Sequence, residues 1–361
     1  MRRFLIAVMV CLVAPLMAWG QAVPEIPFES VPNFIKLPAN MYLGETAGVA
    51  VNSKGHVFVF SRGNSTGPAY GAAAAQLLEF GPDGTYIREI GHNLYAWSFA
   101  HAVRIDKQDN IWVTDKGSDM VIKFDPAGRV LMVFGRKQEA SDEGTEALKH
   151  PKPPLPPIDG QFRQVTDMAW DAAGNTYISD GYINSRVAKV DKNGKWLKSF
   201  GEPGSGPGQF NTPHSIAADA DGNIYVADRG NGRIQVFDGE GKFERQIKMN
   251  VPFDYDQATA AMGRKPARDA TGTQAPGSPW AVCITPKVEG KEQVLYASDS
   301  FPGRIYKMKL DGTMLGVLGE TGKQLKQFGW IHEIACPSEN VLYVAELLNW
   351  RVQKLVLKPA K

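Results

Sequence analysis

Residues 215–228 read Ser-Ile-Ala-Ala-Asp-Ala-Asp-Gly-Asn-Ile-Tyr-Val-Ala-Asp. The phrase joins two short runs of strand-forming residues through an Asp-x-x-Gly-Asn turn, a pattern typical of a β-hairpin. Related phrases recur along most of the chain, and they begin at Gly48, Ala102, Asp167, Ser215, Ala281 and Glu333. Six copies of one phrase indicate a repeat architecture.

Each copy continues into a third strand, a second glycine turn and a fourth strand. In the fourth copy the third strand is Arg233–Phe237, and the turn that follows is Asp238-Gly-Glu-Gly241. Four antiparallel strands per repeat are typical of a propeller blade. Because no segment keeps a helical period over ten residues, solenoids built from helix pairs are excluded. The sequence therefore predicts an all-β fold, a six-bladed β-propeller.

The sixth repeat ends one strand short. It stops after Arg351–Leu357, whereas Phe34–Leu37 precedes the first repeat without a partner. Docking this N-terminal strand on the last blade would close the ring and remove two open sheet edges. We therefore expect a single domain over 21–361, with blades near 45–91, 98–135, 162–201, 210–248, 277–319 and 328–357 plus 33–38.

The N-terminus has the features of a secretory signal peptide. Two arginines precede an apolar run over 4–17, which Ala18-Trp19-Gly20 follows. This order matches a charged region, an apolar region and a small-residue cleavage site, so we expect cleavage after Gly20. The run is shorter than the ~20 residues of a spanning helix. The mature protein is expected to be periplasmic or secreted, without stable membrane insertion, and monomeric.

Composition excludes one class of partner. The 361 residues contain 40 Lys plus Arg and 38 Asp plus Glu, a net charge of +2, so no basic field for nucleic acid is expected. After export only Cys283 and Cys336 would remain. Their pairing is open. Since each lies in a hydrophobic strand pattern, two buried free thiols are favoured.

One repeat position contains histidine in alternate blades. The residues just before the six innermost strands are Ala47, His101, Thr166, His214, Trp280 and His332. Because equivalent positions in a propeller lie on a ring about its axis, the three imidazoles should converge in the central channel. Three protein ligands with a fourth position open are typical of catalytic zinc, although imidazole alone does not separate zinc from copper, nickel or iron.

Other polar residues fall on loops near the expected channel mouth. Arg62 and Arg229 follow the second strands of blades one and four, and Tyr182 lies in the same loop of blade three. Since arginine binds carboxylates bidentately, these residues predict a pocket for a carboxylate-bearing substrate. The recurrent Asp115, Asp180, Asp228 and Asp299 are interpreted as blade-to-blade hydrogen-bonding residues. Two inserts, 136–160 and 250–277, are either lids or solvated loops.

Four segments resemble one known family: 165–168, 179–186, 213–217 and 226–235. They are similar to peptidyl-α-hydroxyglycine α-amidating lyases, which are built on NHL repeats, and the similarity covers nearly all of the mature chain. The resemblance implies cleavage of peptidyl-α-hydroxyglycine to a peptide amide and glyoxylate.

The family's site residues match positions of this sequence. The resemblance implies zinc on His101, His214 and His332, with Tyr182, Arg62 and Arg229 in the active site. It also implies a structural calcium on the backbone carbonyls of Val49 and Val103 and the side chain of Glu333, where the family has Asp. The family's disulfide cysteines have no counterparts at matched positions such as Ile183, Tyr225 and Val236.

Two other functions fit part of the sequence. An NHL propeller in the cell envelope could bind a peptide or protein without chemistry, but it would not require the histidine triad. A different metal-dependent propeller hydrolase would be richer in Asp, Glu and Asn ligands for calcium, which this ring position lacks.

Overall fold

The structure is a computed structural model that describes residues 23–63, 75–137 and 156–358. Within these ranges the strands form six four-stranded antiparallel sheets and two parallel two-stranded bridges. The described helical structure is one 3₁₀ turn, Arg229–Asn231, and no described helix has the length and apolarity to cross a membrane. The predicted all-β, six-bladed propeller is confirmed.

The first three complete blades each use four consecutive strands after β1 (Phe28–Ser30). Blade one consists of β2 (Thr46–Val51), β3 (Val57–Arg62), β4 (Ala75–Phe80) and β5 (Tyr86–Ile90). Blade two consists of β6 (Ala100–Ile105), β7 (Ile111–Asp115), β8 (Met120–Phe124) and β9 (Val130–Gly135). Blade three consists of β10 (Asp167–Trp170), β11 (Thr176–Asp180), β12 (Arg186–Val190) and β13 (Trp196–Phe200).

The second half repeats this plan, with a short parallel bridge before blades four and six. The first bridge pairs β14 (Glu202–Pro203) with β15 (Gln209–Phe210). Blade four consists of β16 (Pro213–Ala218), β17 (Ile224–Asp228), β18 (Arg233–Phe237) and β19 (Phe243–Ile247). Blade five consists of β20 (Pro279–Ile284), β21 (Val294–Asp299), β22 (Ile305–Lys309) and β23 (Met314–Leu318). The second bridge pairs β24 (Glu320–Thr321) with β25 (Gln327–Phe328).

The last blade closes the ring with an N-terminal strand. It consists of β26 (Ile331–Ser338), β27 (Val341–Glu346), β28 (Arg351–Leu357) and β1. The expected mode of closure is therefore right, but the expected segment, 33–38, is wrong. The pairing places Phe28 opposite Leu357, whereas Lys36 makes a single bridge to Thr85 in blade one.

The hydrophobic core lies between the blades. Six buried clusters are each centred on two neighbouring blades, and the cluster between blades one and two also includes Trp280 and Leu347. Along β3, Phe58 and Phe60 pack towards blade two, while Val57 and Val59 pack towards blade six. This alternation follows from the two-residue period of a strand. The innermost strands of successive blades contact one another around the whole ring, which fixes the residues at the channel relative to each other.

The Asp-x-x-Gly-Asn phrase is explained by the turn between the first two strands of a blade. In blade four, Asp219 Oδ1 accepts from the backbone of Asp221 and Asn223, and Asp219 Oδ2 accepts from the Asn223 side chain. Gly222 has φ +88°, a backbone conformation that glycine adopts readily.

The recurrent aspartates bind inside their own repeats. Asp115 accepts from the backbone N–H groups of Ser98 and Phe99, and Asp228 accepts from that of Asn211. These contacts attach the loop that enters a blade to the second strand of that blade. The prediction of blade-to-blade bonding is therefore wrong, because the partner loop belongs to the same repeat.

The two cysteines form a disulfide. Cys283 on β20 pairs with Cys336 on β26, so the expectation of two free thiols is wrong. Both side chains lie in the hydrophobic cluster shared by blades five and six, on the neighbouring innermost strands β20 and β26. Disulfides are typical of oxidising compartments.

Candidate metal centre and active site

Three imidazoles meet in the central channel. His101, His214 and His332 are almost completely buried, and their ring centroids are 4.6 to 4.8 Å apart. One ligand atom of each lies within 4.8 Å of those of the other two. The convergence predicted from repeat register is therefore observed.

A strand irregularity directs each histidine into the channel. The pairing of the first two strands shifts register between Ala100 and Ala102, between Pro213 and Ile216, and between Ile331 and Glu333. A bulge of this kind turns a side chain away from the ordinary alternation of a strand and is common next to active sites.

Backbone carbonyls of the intervening blades orient the rings. The Nδ1 atoms of His101, His214 and His332 lie 2.7, 2.6 and 2.7 Å from carbonyl oxygens. The carbonyls belong to Thr166, Trp280 and Ala47, which occupy the same repeat position in blades three, five and one. Since a carbonyl only accepts, each Nδ1 carries the proton and each Nε2 keeps a lone pair.

The electrostatics of the triad favour neutral ligands. Burial lowers the pKa of all three imidazoles well below the ordinary 6.5. The Nε2 atom of His214 is buried without a hydrogen-bond partner among the described residues. Buried polar atoms are rarely left unpaired. An orphaned lone pair beside two other neutral imidazoles therefore fits a metal ion held by His101, His214 and His332.

Tyr182 stands beside this centre. Its hydroxyl oxygen is 3.3 Å from His101 Nε2, and its ring packs edgewise against His101 and His214. Burial would raise the pKa of the Tyr182 phenol, but Arg229, Lys116 and Arg62 outweigh burial and lower it below 10.0. The phenol is thus placed to lose a proton near the metal position.

Glycine at position 181 allows Tyr182 to take this place. A Cβ atom on Gly181 would lie 1.9 Å from the backbone oxygen of Pro213, the residue that precedes His214. The loop of blade three can therefore approach the innermost strand of blade four only with glycine at this position.

The two predicted arginines also reach the channel mouth. Arg62 Nε donates to the Ala100 carbonyl at 3.2 Å, and Arg62 Nη1 pairs with Glu45. Arg229 is buried, with 6% of the residue exposed. Its guanidinium carbon lies 4.5 Å from the centroid of the Trp280 ring and 5.4 Å from that of the Tyr182 ring. Its Nε has no hydrogen-bond partner in the described part of the chain. The structure therefore brings Arg62, Arg229 and Tyr182 together over the histidine triad.

Sequence reasoning missed a third cation, Lys116. Its ammonium nitrogen lies 3.9 Å from the centroid of the Tyr182 ring and 5.2 Å from that of Phe99. Burial lowers the pKa of Lys116, and Arg62 and Arg229 lower it further. The signal was present in the sequence, because Lys116 follows Asp115 as Arg229 follows Asp228.

The expected calcium ligands do not fit calcium. Glu333 Oε2 accepts from the backbone N–H groups of Val49 and Val103, at 2.9 and 3.2 Å. Glu333 Oε1 lies at ion-pair distance, 2.9 Å, from Arg104 Nε and accepts no hydrogen bond from the described residues. The two valines thus present donors to this carboxylate, and a guanidinium supplies its positive charge. Calcium binds oxygen atoms, so the expectation of calcium on Val49, Val103 and Glu333 is not supported by this arrangement.

Most of 136–160 lies outside the described residues. The 250–277 insert packs on blade five, where Phe253 contacts the Phe301 ring at 5.6 Å and Arg304 donates to the Val251 carbonyl at 2.8 Å. Cavities of about 460 and 450 Å³ lie along this contact, away from the histidines. One link reaches the site, since Trp280 Nε1 donates to the Thr273 carbonyl.

Comparisons with known proteins find the NHL repeat and amidating enzymes. The family model for the NHL repeat matches residues 210–237. The chain is 30% identical over 336 residues to peptidyl-glycine alpha-amidating monooxygenase A of Xenopus laevis, which covers 85% of this chain and 31% of that protein. It is 26% identical over 376 residues to peptidyl-alpha-hydroxyglycine alpha-amidating lyase 1 of Drosophila melanogaster, which covers 92% of this chain and 63% of that protein.

Solved structures share the fold alone. Virginiamycin B lyase from Staphylococcus aureus superposes with a TM-score of 0.55 at 14% identity, over 92% of this chain and all of that chain. The chain spans about a third or less of the length of the first curated relatives it matches. The resemblance to the amidating lyases that the sequence motifs predicted is confirmed.

Proposed function

We propose that this chain, a homologue of the peptidyl-α-hydroxyglycine α-amidating lyases, is a zinc-dependent lyase that cleaves peptidyl- or N-acyl-α-hydroxyglycines to an amide and glyoxylate. The observation that carries the proposal is the placement of the Tyr182 hydroxyl beside a buried triad of neutral histidines. Its oxygen lies 3.3 Å from Nε2 of His101, a member of that triad. Three histidines able to hold a metal, with a phenol and two guanidiniums beside them, favour a catalytic site over a surface that only binds a peptide.

His101, His214 and His332 would hold the zinc through Nε2. Three ligands leave a position open, as in catalytic zinc sites. When bound there, zinc would act as a Lewis acid that lowers the pKa of the substrate hydroxyl, as it does for water. The carbonyls of Thr166, Trp280 and Ala47 would keep the rings in place, a support on which metal affinity commonly depends.

Arg62 and Arg229 would bind the carboxylate that leaves in glyoxylate. Both guanidiniums lie at the channel mouth, and Arg229 has no described carboxylate within ion-pair distance. A charge-assisted contact between guanidinium and carboxylate is strong and directional. It would orient the carbinol carbon towards Tyr182 and the histidine triad.

Tyr182 would be the general base. It would take the hydroxyl proton, the carbon–oxygen double bond would form, and the carbon–nitrogen bond would break with its electron pair passing to the amide nitrogen. The proton that Tyr182 took passes to that nitrogen, so the products are the amide and glyoxylate with no net uptake of protons, water or electrons. The lowered pKa of Tyr182 favours this role at neutral pH.

The Cys283–Cys336 disulfide supports a further part of the proposal, that the protein is exported. The signal-peptide region of residues 1–20 lies outside the described residues. Disulfides persist in periplasmic and extracellular compartments, so the bond agrees with a periplasmic or secreted enzyme.

The test is metal content and glyoxylate release with a synthetic N-acyl-α-hydroxyglycine. The zinc-loaded protein should release glyoxylate, and His214→Ala should lose both metal and activity. His56→Ala is the matched control, because His56 pairs with Glu79 on blade one, outside the triad, and should keep both. An inactive wild type that nevertheless binds peptides would instead favour the non-catalytic binding module.

A further inference from the structure

Lys116 belongs to the same ring position as the two arginines. Its backbone N–H donates to the Phe99 carbonyl at 2.9 Å, and those of Arg62 and Arg229 donate to Glu45 and Thr212 at 2.9 and 3.3 Å. In each case the acceptor lies in the loop before the innermost strand of the same blade. The three cations are therefore equivalent in the repeat and face the same channel mouth.

Cations and aromatic rings alternate around this mouth. The Arg62 guanidinium lies 3.8 Å from the centroid of Phe99, and Lys116 approaches both Phe99 and Tyr182. Arg229 approaches both Tyr182 and Trp280. We call these residues the cation collar, and its members are Arg62, Phe99, Lys116, Tyr182, Arg229 and Trp280.

The three cations of the collar differ in how far neighbouring groups already neutralise their charge. Glu45 pairs with Arg62 and takes up part of its charge. Lys116 is mostly buried against rings, and its electrostatic partners include Tyr182 and Asp119 as well as the two arginines. Cations that repel one another in a half-buried site are stabilised by an anionic ligand between them. A bound carboxylate has about four lone-pair sites and can accept from more than one cation.

We propose that Lys116 is a specificity-determining residue that joins Arg62 and Arg229 in binding the substrate carboxylate. The inference rests on the proposed function for the identity of the substrate. The site should therefore select a free carboxylate over an amide or ester at the same position. Neither neutral group would form an ion pair with the partly buried ammonium.

The test compares binding of two unreactive analogues, N-benzoylglycine and N-benzoylglycinamide, to the zinc-loaded protein by calorimetry. Lys116→Met should weaken binding of the acid by about tenfold to a hundredfold and leave the amide within about twofold. Lys116→Arg should restore preference for the acid. Lys107→Met, on an exposed turn of the same blade, should change neither.

The outcomes separate the two proposals. If wild type releases no glyoxylate but Lys116→Met still loses preference for the acid, the proposed reaction is wrong and the role of Lys116 stands. If Lys116→Met binds both analogues as wild type does, or weakens both equally, Lys116 only supports Tyr182 and the inference is overturned.

A second inference concerns Arg104, one residue beyond the expected calcium ligand Val103. Its guanidinium pairs with both oxygens of Asp167, at 3.0 and 2.6 Å, and with Glu333 at 2.9 Å. It also donates to the carbonyl of Ile334 at 3.2 Å. Longer contacts reach Ser215 Oγ at 3.4 Å and the Val282 carbonyl at 3.5 Å.

These contacts link blade two to every other blade, either directly or through Glu333. Asp167, Ser215, Val282 and the Glu333–Ile334 pair lie on the innermost strands of blades three, four, five and six. Arg104 itself lies on blade two, and Glu333 accepts from Val49 on blade one. Arg104 thus contacts residues of blades three, four, five and six directly and reaches blade one through Glu333. Burial alone would lower the pKa of Arg104, but Asp167 and Glu333 raise it above its ordinary value.

We infer that the Arg104 guanidinium replaces a structural metal ion in this propeller, which therefore does not need calcium. The positive charge is covalently attached, so the ring should close at any calcium concentration. Removal of the guanidinium would leave two buried carboxylates unpaired.

Thermal unfolding of the zinc-loaded protein tests this inference. Millimolar calcium should leave the Tm of wild type unchanged, with magnesium as the control salt. Arg104→Met should lower Tm by about 10 °C, and calcium should recover part of that loss. If the variant does not fold, the wild-type protein still tests the inference. Calcium binding detected by calorimetry, together with a raised wild-type Tm, would overturn it.

Discussion

Replacing Tyr182 with phenylalanine removes one oxygen atom from the site and little else. The ring would keep its edgewise packing on His101 and His214 and its contacts with Lys116 and Arg229. What is lost is the hydroxyl 3.3 Å from His101 Nε2. A general base contributes about 10² to 10⁴ in rate, so kcat should fall by that factor, which corresponds to about 3 to 5 kcal/mol in the activation free energy.

Steady-state release of glyoxylate, measured on zinc-loaded protein, checks this prediction. Zinc content and Tm should stay close to wild type. Tyr177→Phe is the matched control, because the Tyr177 hydroxyl binds Asp171 and Gly239 outside the channel. It should cost about 1 kcal/mol of stability and leave kcat unchanged. A zinc-loaded Tyr182→Phe enzyme with the wild-type kcat would refute the assignment of Tyr182 as base.

Three more predictions follow from the same contacts. Because the triad histidines have folded pKa values below 6.5, the metal-free protein binds fewer protons folded than unfolded. Its free energy of unfolding should fall as the pH drops below 6.5, and a flat denaturation series from about pH 7 to about pH 5 would contradict this. The disulfide closes a separation of 53 residues, so Cys283→Ser with Cys336→Ser should cost up to about 4 kcal/mol without loss of zinc, as denaturant titration and metal analysis will measure. Gly181→Ala would drive a Cβ atom against the Pro213 carbonyl and should weaken zinc binding by about tenfold or more, whereas Gly222→Ala, which strains a residue with φ +88° but meets no atom within 4 Å, should lower stability without changing zinc binding.

Repeat register made the centre of the site predictable. Equivalent positions on a ring must face one another, so the aligned repeats alone predict that His101, His214 and His332 lie together. The same alignment placed Tyr182, Arg62 and Arg229 at one loop level. It contains Lys116 as well, since Lys116 follows Asp115 as Arg229 follows Asp228.

Contacts between repeats were harder to predict. The disulfide depends on the distance between two innermost strands, which an alignment of repeats does not measure. A strand without a partner ahead of the first repeat predicts Phe34–Leu37 as the closing strand, whereas the observed pairing of Phe28 with Leu357 also brings Phe28 beside Phe328. The ion pairs of Arg104 could not be predicted for a similar reason. Its partners Asp167 and Glu333 are far away in sequence and approach it only in the closed ring.

The most direct test of the central claim is a zinc titration of metal-free protein, followed by glyoxylate release from an N-acyl-α-hydroxyglycine. We predict no release without metal, a linear rise with added zinc, and a plateau at about one equivalent per chain, as expected for one three-histidine site. Full activity in the metal-free protein, or none at saturating zinc, would contradict the proposed lyase.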